Sequence, residues 1–317
     1  MYPARHYTYV RAHLTVVIVV AIAVLIGLHL RQRWTTVTTV SFQTLARDSI
    51  STNTKVLVMG SSHVYRGIDY RCFEQPCVSL NNAGCDYTMM LALWKKHSTN
   101  LPNVRNVLIE FDPTPMFYDV VAEFPTNATL PHLGLAPYEY PRPLLSRLVY
   151  SSVSNVWIQN SPTPKNIYRW LRKRNDPTPH LVAGFRPTDE ITKDAGLKHA
   201  IKISEMFARN SSWNAYKHNM VALETLVGLL QERDIRVFLV QFPKLPTFWE
   251  QLSPKYIQQF EENKKLFRGD PRVSFIDCDR SGGLLTFETA DFLDSDHLNT
   301  SGAARLSSYL NSLIHEE

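Results

Sequence analysis

The sequence has no concentrated patch of charge. It holds 34 Lys and Arg against 29 Asp and Glu, a formal net charge of +5, and the basic residues are scattered along its 317 positions. Proteins that bind nucleic acid usually gather their basic residues into a stripe, so we do not expect a nucleic-acid partner. The densest basic group, Arg169 to Arg174, is typical of a solvated helix end. Internal repeats and low-complexity tracts are also absent, so a repeat architecture is not expected.

Cysteine is scarce, with four residues in the whole chain. Cys72 and Cys77 lie close together in a predicted loop, whereas Cys85 and Cys278 lie in predicted core segments. None of them has zinc-site spacing with histidines, so we expect no metal and no cofactor. Two interpretations stay open: a short Cys72–Cys77 disulfide formed in an oxidising compartment, or four unpaired thiols.

One long apolar run lies near the N-terminus. Leu14 to Leu28 carries no charge, and only one threonine and one glycine interrupt its aliphatic residues. Extended to residues 12–30, the run is about long enough to cross a bilayer as a single helix. A cleavable signal peptide is the alternative, but its apolar region is usually shorter and no clear Ala-x-Ala site precedes Arg31. We therefore predict an uncleaved membrane anchor over 1–33, with arginines on both sides that leave its orientation open.

After a predicted connector over residues 34–54, apolar runs alternate with helical patterns. Five runs have the character of strands in a parallel sheet: Val56–Met59, Val78–Leu80, Val104–Phe111, Ile235–Gln241 and Val273–Ile276. Four segments have helical character: Tyr87–Lys96, Asn219–Arg233, Tyr256–Phe267 and Ser301–Ile314. This order predicts an α/β fold with a doubly wound parallel sheet over residues 55–317. Residues 120–215 break the pattern with prolines and aromatic residues, and we predict a helical insertion that caps or walls the site. A small helical domain is the alternative.

Polar residues follow the strand candidates, and in doubly wound sheets functional groups gather beyond the carboxyl ends of the strands. Ser62 is the third residue after such a run. A serine hydroxyl needs a base to become a nucleophile, and that base needs an orienting acceptor. His297 can be the base, and Asp294, three residues earlier, can hold its tautomer. We therefore predict a catalytic set of Ser62, Asp294 and His297. His63 and Asp296 are weaker candidates for the base and the orienting acid.

The oxyanion of an acyl-transfer reaction needs hydrogen-bond donors, and backbone N–H groups at a strand-to-helix turn are suited to this task. Gly84 allows close approach of the backbone after its strand. We predict the N–H groups of Ser62 and Gly84 as the donors. Asn82 is a further candidate, and capping a turn is its alternative role.

Three ordered blocks carry a family resemblance: Gly60-x-Ser62, Asn82-x-Gly84 and Asp294-x-x-His297. Together they resemble the SGNH (GDSL-like) hydrolase superfamily, over residues 55–120 and 219–313. The resemblance implies a flavodoxin-like α/β/α fold and a serine nucleophile. The usual first block reads Gly-Asp-Ser. Gly60-Ser61-Ser62 and the ending His297-Leu298-Asn299 look instead like a membrane-associated polysaccharide O-acyltransferase branch. That branch includes alginate O-acetylation factors and the D-alanyl transfer protein of teichoic acid synthesis.

One position departs from the family pattern. The third block usually supplies an asparagine after the third strand, and Asp112 falls near its place in this chain. A carboxylate there would repel an oxyanion, so either the backbone donors act alone or another side chain replaces the amide. Glu110 and Asp112 could also form a carboxylate pair, but no matching third metal ligand accompanies them.

The resemblance implies a membrane-anchored, extracytoplasmic O-acyltransferase, of which an O-acetyltransferase of a polysaccharide is the expected form. A membrane-bound O-acyltransferase would supply the acyl group, and the chain would lie in the cytoplasmic membrane with its catalytic domain periplasmic or extracellular. An esterase with the same three residues is one alternative. A non-catalytic scaffold of a polysaccharide synthesis complex is another, and the Asp112 departure favours it.

Overall fold

The computed structural model describes residues 50–81, 84–118, 195–210, 213–279 and 285–315, together with Thr15 and Val19. Apart from Thr15 and Val19, these residues belong to one compact unit. The predicted anchor lies otherwise outside the described residues, as do most of the connector and most of the predicted insertion. Among the helices of the described ranges, none combines the length and apolar character needed to cross a bilayer.

The centre of the unit is a sheet of five parallel strands. They are β1 (Val56–Gly60), β2 (Cys77–Asn81), β3 (Asn106–Glu110), β4 (Arg236–Gln241) and β5 (Ser274–Asp277). Their order in space is β2-β1-β3-β4-β5, and every neighbouring pair is parallel. This is the flavodoxin-like order of a doubly wound sheet. The prediction of a parallel α/β sheet is therefore confirmed.

Helices connect and cover the strands. They are α1 (Ser62–Gly67), α2 (Tyr87–His97), α3 (Pro113–Phe117), α4 (Ala195–Asn210), α5 (Trp213–Gln231), α6 (Pro246–Gln251), α7 (Pro254–Arg268) and α8 (Thr300–His315). The sequence pattern did not predict α1, α3, α4 or α6. Proline begins α6, and α4 follows a proline-rich stretch that obscures the helical periodicity of its apolar residues. Both bury apolar side chains, Phe248 of α6 and Phe207 of α4, which explains why they fold as helices.

Alternating strand residues supply two cores, one on each face of the sheet. Leu57 and Met59 point into the core that α2, α5 and α7 cover. Val56 and Val58 point into the core that α1 and α8 cover. Because both faces are buried, the strands read as continuous apolar runs. The carboxyl ends of the strands remain for polar groups.

Gly60 ends β1 at the position where the polar edge begins. A Cβ atom added there would lie 2.5 Å from Glu110 Oε2 and would also press on Val64 Cγ2. Gly60→Ala should therefore lower the free energy of unfolding by about 1–3 kcal/mol through overpacking. Urea denaturation measures this effect.

Gly228→Ala is the matched control for Gly60→Ala. Gly228 lies inside α5, and a Cβ atom there would meet nothing within 4 Å. Alanine should stabilise that helix by up to about 1 kcal/mol. Equal effects of the two substitutions would contradict the close packing at Gly60.

Candidate active site

The structure brings Ser62, His297 and Asp294 into one hydrogen-bonded chain. Ser62 Oγ lies 2.8 Å from His297 Nε2. His297 Nδ1 lies 2.9 Å from Asp294 Oδ1 and 3.0 Å from Oδ2. Since a carboxylate only accepts, Nδ1 carries a proton, and in the neutral form of the ring Nε2 is left to accept the serine O–H. The three residues thus have the arrangement that activates a serine hydroxyl.

The loop that carries the histidine is fixed by its own acid. Asp294 Oδ1 accepts the backbone N–H of His297 at 2.9 Å and that of Asp296 at 3.2 Å. The N–H of Leu293 donates to the carbonyl of His297 at 2.8 Å, and Phe292 forms a β-bridge with Leu298. Asp294 therefore orients both the ring and the backbone of His297, and this double use explains the spacing of the Asp-x-x-His block.

The two adjacent serines have different surroundings. Ser61 is fully buried; its N–H donates to Glu110 Oε2 at 2.5 Å and its O–H to Glu110 Oε1 at 2.9 Å. Ser62 is the first residue of α1 and is partly exposed. The first N–H groups of a helix have no partner within it. Ser61 therefore anchors the turn, and Ser62 is the serine that faces both solvent and the base.

A buried histidine lies behind the ring of His297. His63 Nδ1 is 2.7 Å from Glu110 Oε1, and His63 Nε2 is 3.1 Å from Asp296 Oδ2. The ring centroids of His63 and His297 are 5.1 Å apart. As expected from the sequence, His63 is a neighbour of the serine, while His297 makes the serine contact. The sequence did not predict that Glu110 and Asp296 would both face His63.

Asp112 departs from its expected environment. Its side chain is fully buried, and Lys244 Nζ, equally buried, lies 2.8 Å from its Oδ2. Burial raises the pKa of Asp112 to about 7, although the charge of Lys244 opposes this shift. From the sequence we expect Asp112 to repel an oxyanion, because the sequence places no buried cation beside this carboxylate. Lys244 follows β4 and is remote from Asp112 in the sequence. Its place just beyond a strand's carboxyl end was the signal that could have found it.

His199 of α4 is a second residue that the sequence reasoning missed. Its Nδ1 lies 3.0 Å from Ser295 Oγ and 3.0 Å from Asp296 Oδ1. Its ring centroid is 5.5 Å from that of His297. Nothing in the local pattern marks this histidine, since it comes from the helix just after the proline-rich stretch. The helix therefore adds one side chain to the rim of the site.

The charges around His297 favour its protonated form. Burial lowers its pKa, but the carboxylates of Asp296 and Asp294 outweigh this effect and raise the pKa to about 10. Asp296 shows the reverse balance: burial opposes its ionisation, yet the neighbouring histidines hold its pKa well below the ordinary value. Carboxylates and histidine rings thus alternate in the buried part of the site.

The predicted oxyanion donors are only partly described. Gly84 follows β2 with φ of 68°, a left-handed conformation that glycine adopts without strain. Asn82 lies outside the described residues. The roles of Ser62, Gly84 and Asn82 in an oxyanion hole therefore stay predictions.

Two groups of side chains bring ligand-type atoms within 4.8 Å of one another: His199, Asp294, Asp296 and His297, and His63, Glu110 and Asp112. Imidazole and carboxylate groups can hold a divalent cation. Here each histidine already has a carboxylate at hydrogen-bond distance, which is the geometry of ion pairs, and we assign no metal ligands. The expectation of no metal and no cofactor stays a prediction. Cys72 and Cys77 are free thiols, so the disulfide between them is not formed.

The comparisons with known proteins give only remote similarities. No protein-family model matches the chain, and no curated protein sequence matches it. A structure assigned as an acylhydrolase from Bacteroides fragilis is 12% identical, with a TM-score of 0.43 over 87% of this chain and 97% of that one. One assigned as a platelet activating factor from Streptococcus pneumoniae is 12% identical, with a TM-score of 0.41 over 94% and 99%. A GDSL-like lipase from Bacteroides thetaiotaomicron is 9% identical, with a TM-score of 0.42 over 87% and 98%. At these TM-scores the likeness carries no argument about fold or activity.

The class of the protein therefore follows from its own fold and site. It is a doubly wound α/β protein, and a hydrogen-bonded Ser–His–Asp set joins the end of β1 to a C-terminal loop. The turn with Ser62 follows β1, which lies between β2 and β3, and His297 lies in the loop before α8. Functional groups beyond the carboxyl ends of the strands are the general rule for such sheets.

Proposed function

We propose that the protein performs acyl transfer through a covalent acyl-Ser62 intermediate. The observation that carries this proposal is the 2.8 Å contact between Ser62 Oγ and His297 Nε2, with Asp294 on the opposite ring nitrogen. The partial exposure of Ser62 supports it, because a nucleophile must meet its substrate. The resemblance of the three sequence blocks to SGNH (GDSL-like) hydrolases points to the same chemistry.

The steps follow from the positions of the atoms. Ser62 Oγ would attack the carbonyl carbon of an acyl donor while His297 Nε2 takes its proton. The C–O bond to the leaving group then breaks, and His297 returns the proton to that oxygen. In the second half, His297 takes a proton from the acceptor hydroxyl, which attacks the acyl carbon. The bond from that carbon to Ser62 Oγ then breaks, and His297 returns the proton to Oγ. Asp294 holds the tautomer and stabilises the imidazolium in both halves.

The finer proposal is a membrane-anchored O-acyltransferase, in its expected form an O-acetyltransferase of a cell-surface or secreted polysaccharide. It rests on the apolar run over 12–30 and on the resemblance of Gly60-Ser61-Ser62 and Asp294-x-x-His297 to the polysaccharide-modifying branch. We propose that a membrane-bound O-acyltransferase supplies the acyl group on the extracytoplasmic side. The ion pair of Asp112 with Lys244 weakens the argument for a non-catalytic scaffold, because the carboxylate's charge is balanced.

Transfer and hydrolysis share this site, so the acceptor must be varied to separate them. p-Nitrophenyl acetate would serve as the acyl donor, with acetylated glycan and free acetate both measured with and without polysaccharide. We expect acetyl groups on the glycan, and a smaller share of free acetate when glycan is present. If every acetyl group reaches water at all glycan concentrations, the protein is an esterase and the transferase proposal is wrong.

The pH dependence of turnover tests the charges around the base. His297 must be neutral to accept a proton, and its raised pKa of about 10 means that turnover should increase with pH above the ordinary histidine range. The groups that face its ring are Asp294 and Asp296 of the same loop, His63 of α1 and His199 of α4.

Asp296→Asn removes the largest contribution that raises this pKa. The midpoint of the profile should therefore move to lower pH, as measured by kcat/KM for p-nitrophenyl acetate across pH. An unchanged midpoint would show that Asp296 does not act on His297 electrostatically.

A further inference from the structure

His63 lies between two carboxylates and is almost completely buried. Its Nδ1 is 2.7 Å from Glu110 Oε1 and its Nε2 is 3.1 Å from Asp296 Oδ2. The side chain of His63 is 2% exposed, and those of its partners are 0% and 3% exposed. An ionised carboxylate only accepts hydrogen bonds, so both ring nitrogens must donate. The geometry therefore requires a doubly protonated, positively charged ring.

The electrostatic balance agrees with that geometry. Burial and the nearby Lys244 lower the pKa of His63, but Glu110 and Asp296 outweigh them and raise it above the ordinary value. The other groups that face the ring are Ser61 Oγ at 3.2 Å, Asp112 Oδ2 at 3.7 Å and the ring of His297. Carboxylates thus lie on both sides of the charged ring.

Each of the two carboxylates also holds a part of the catalytic set. Glu110 accepts both the N–H and the O–H of Ser61, the residue directly before the nucleophile. Asp296 lies directly before His297, and its Oδ1 is 3.3 Å from His297 Nδ1. The chain Glu110–His63–Asp296 therefore joins the nucleophile turn to the base loop, which are more than two hundred residues apart in sequence.

We propose that His63 is a positioning residue which, as an imidazolium bridging Glu110 and Asp296, fixes the distance between Ser62 and His297. The inference rests on the proposed acyl-Ser62 chemistry and adds a part to it. A rigid link matters because a small displacement of a reacting group can lower a rate by about 100-fold. A buried and fully satisfied network of this kind restricts both ends at once.

Two amide substitutions separate the two ends of the bridge. Asn places its amide nitrogen near the former Nδ1, so His63→Asn keeps the contact with Glu110 and loses that with Asp296. Gln places its amide nitrogen near the former Nε2, so His63→Gln keeps the contact with Asp296. His218→Asn on the exposed side of α5 is the matched control. The readout is the rate at which a fluorophosphonate labels Ser62 in the full chain, normalised to the folded fraction by thermal unfolding.

We expect His63→Asn to lower the labelling rate by about 10- to 100-fold, His63→Gln to retain more of it, and His218→Asn to leave it unchanged. In the Asp296→Asn background, His63→Asn should have little further effect, because the same link is already broken. A merely structural role predicts lower thermal stability with wild-type labelling of the folded fraction, and that result would overturn the positioning role alone. If the wild-type chain is not labelled at all, the acyl-enzyme proposal falls and the inference falls with it.

Should neither variant fold, the wild-type protein decides the question. Nitrogen NMR distinguishes protonated from unprotonated ring nitrogens. We expect both ring nitrogens of His63 to stay protonated at about pH 8, above the usual histidine pKa of about 6.5. A neutral His63 ring at that pH would overturn the bridge.

Discussion

Replacing Ser62 by alanine should reduce turnover of an ester substrate by about 10⁴-fold or more, because the nucleophile of a Ser–His–Asp set cannot be substituted by its neighbours. The free energy of unfolding should change by no more than about 1 kcal/mol, since the substitution removes one hydrogen bond at a partly exposed position. Steady-state kinetics and urea denaturation of the same preparation measure the two quantities.

The adjacent serine is not a suitable control for that variant. Ser61 holds the buried Glu110, so its loss would affect folding as well as activity. Ser301 is exposed near the start of α8, and Ser301→Ala should leave turnover unchanged. If Ser62→Ala keeps more than about a tenth of the wild-type rate, the acyl-enzyme mechanism is wrong.

Lys244→Met should give the largest loss of stability. Lys244 and Asp112 form an ion pair in which both side chains are fully buried. Removing one partner of such a pair leaves an uncompensated buried charge, which costs about 3–5 kcal/mol. Lys265→Met, at an exposed position of α7, is the matched control and should have little effect. Urea denaturation measures both, and in an Asp112→Asn background Lys244→Met should cost less.

The stability lost in Lys244→Met should also depend on pH. Burial already raises the pKa of Asp112 to about 7 with Lys244 present. A raised carboxyl pKa in the folded state means that stability falls as pH rises from the unfolded value through the folded one. Without Lys244 the carboxyl can become neutral only by taking a proton, so the variant should lose less stability at about pH 5 than at about pH 8. A loss that is the same at both pH values contradicts the buried charge.

The sheet was predictable because its strands are buried on both faces. Val56–Met59 is a continuous apolar run, and Val104–Phe111 contains one at its centre; the ends of both segments lie within two residues of an observed strand boundary. Helix α4 was not predicted, since it follows a proline-rich stretch and its buried face is short. The predicted strands therefore carried the fold, whereas most of the predicted insertion lies outside the described residues.

The residues of the candidate site were likewise only partly predictable from the sequence. Ser62, Asp294 and His297 could be proposed because their roles need particular residue types at a particular local spacing. The partners of Asp112 and His63 were not proposed, because those contacts join β3, β4 and the C-terminal loop across the fold. Local spacing predicts the acid that holds the tautomer of a histidine. Tertiary packing decides which residue neutralises a buried charge.

The most direct test of the central claim is to locate a fluorophosphonate adduct by mass spectrometry of the proteolysed full chain. We predict one adduct per chain, on Ser62 and not on Ser61, and its loss in both Ser62→Ala and His297→Gln. A wild-type chain that stays unlabelled under conditions that label known serine hydrolases would contradict the claim. So would an adduct that persists after Ser62→Ala.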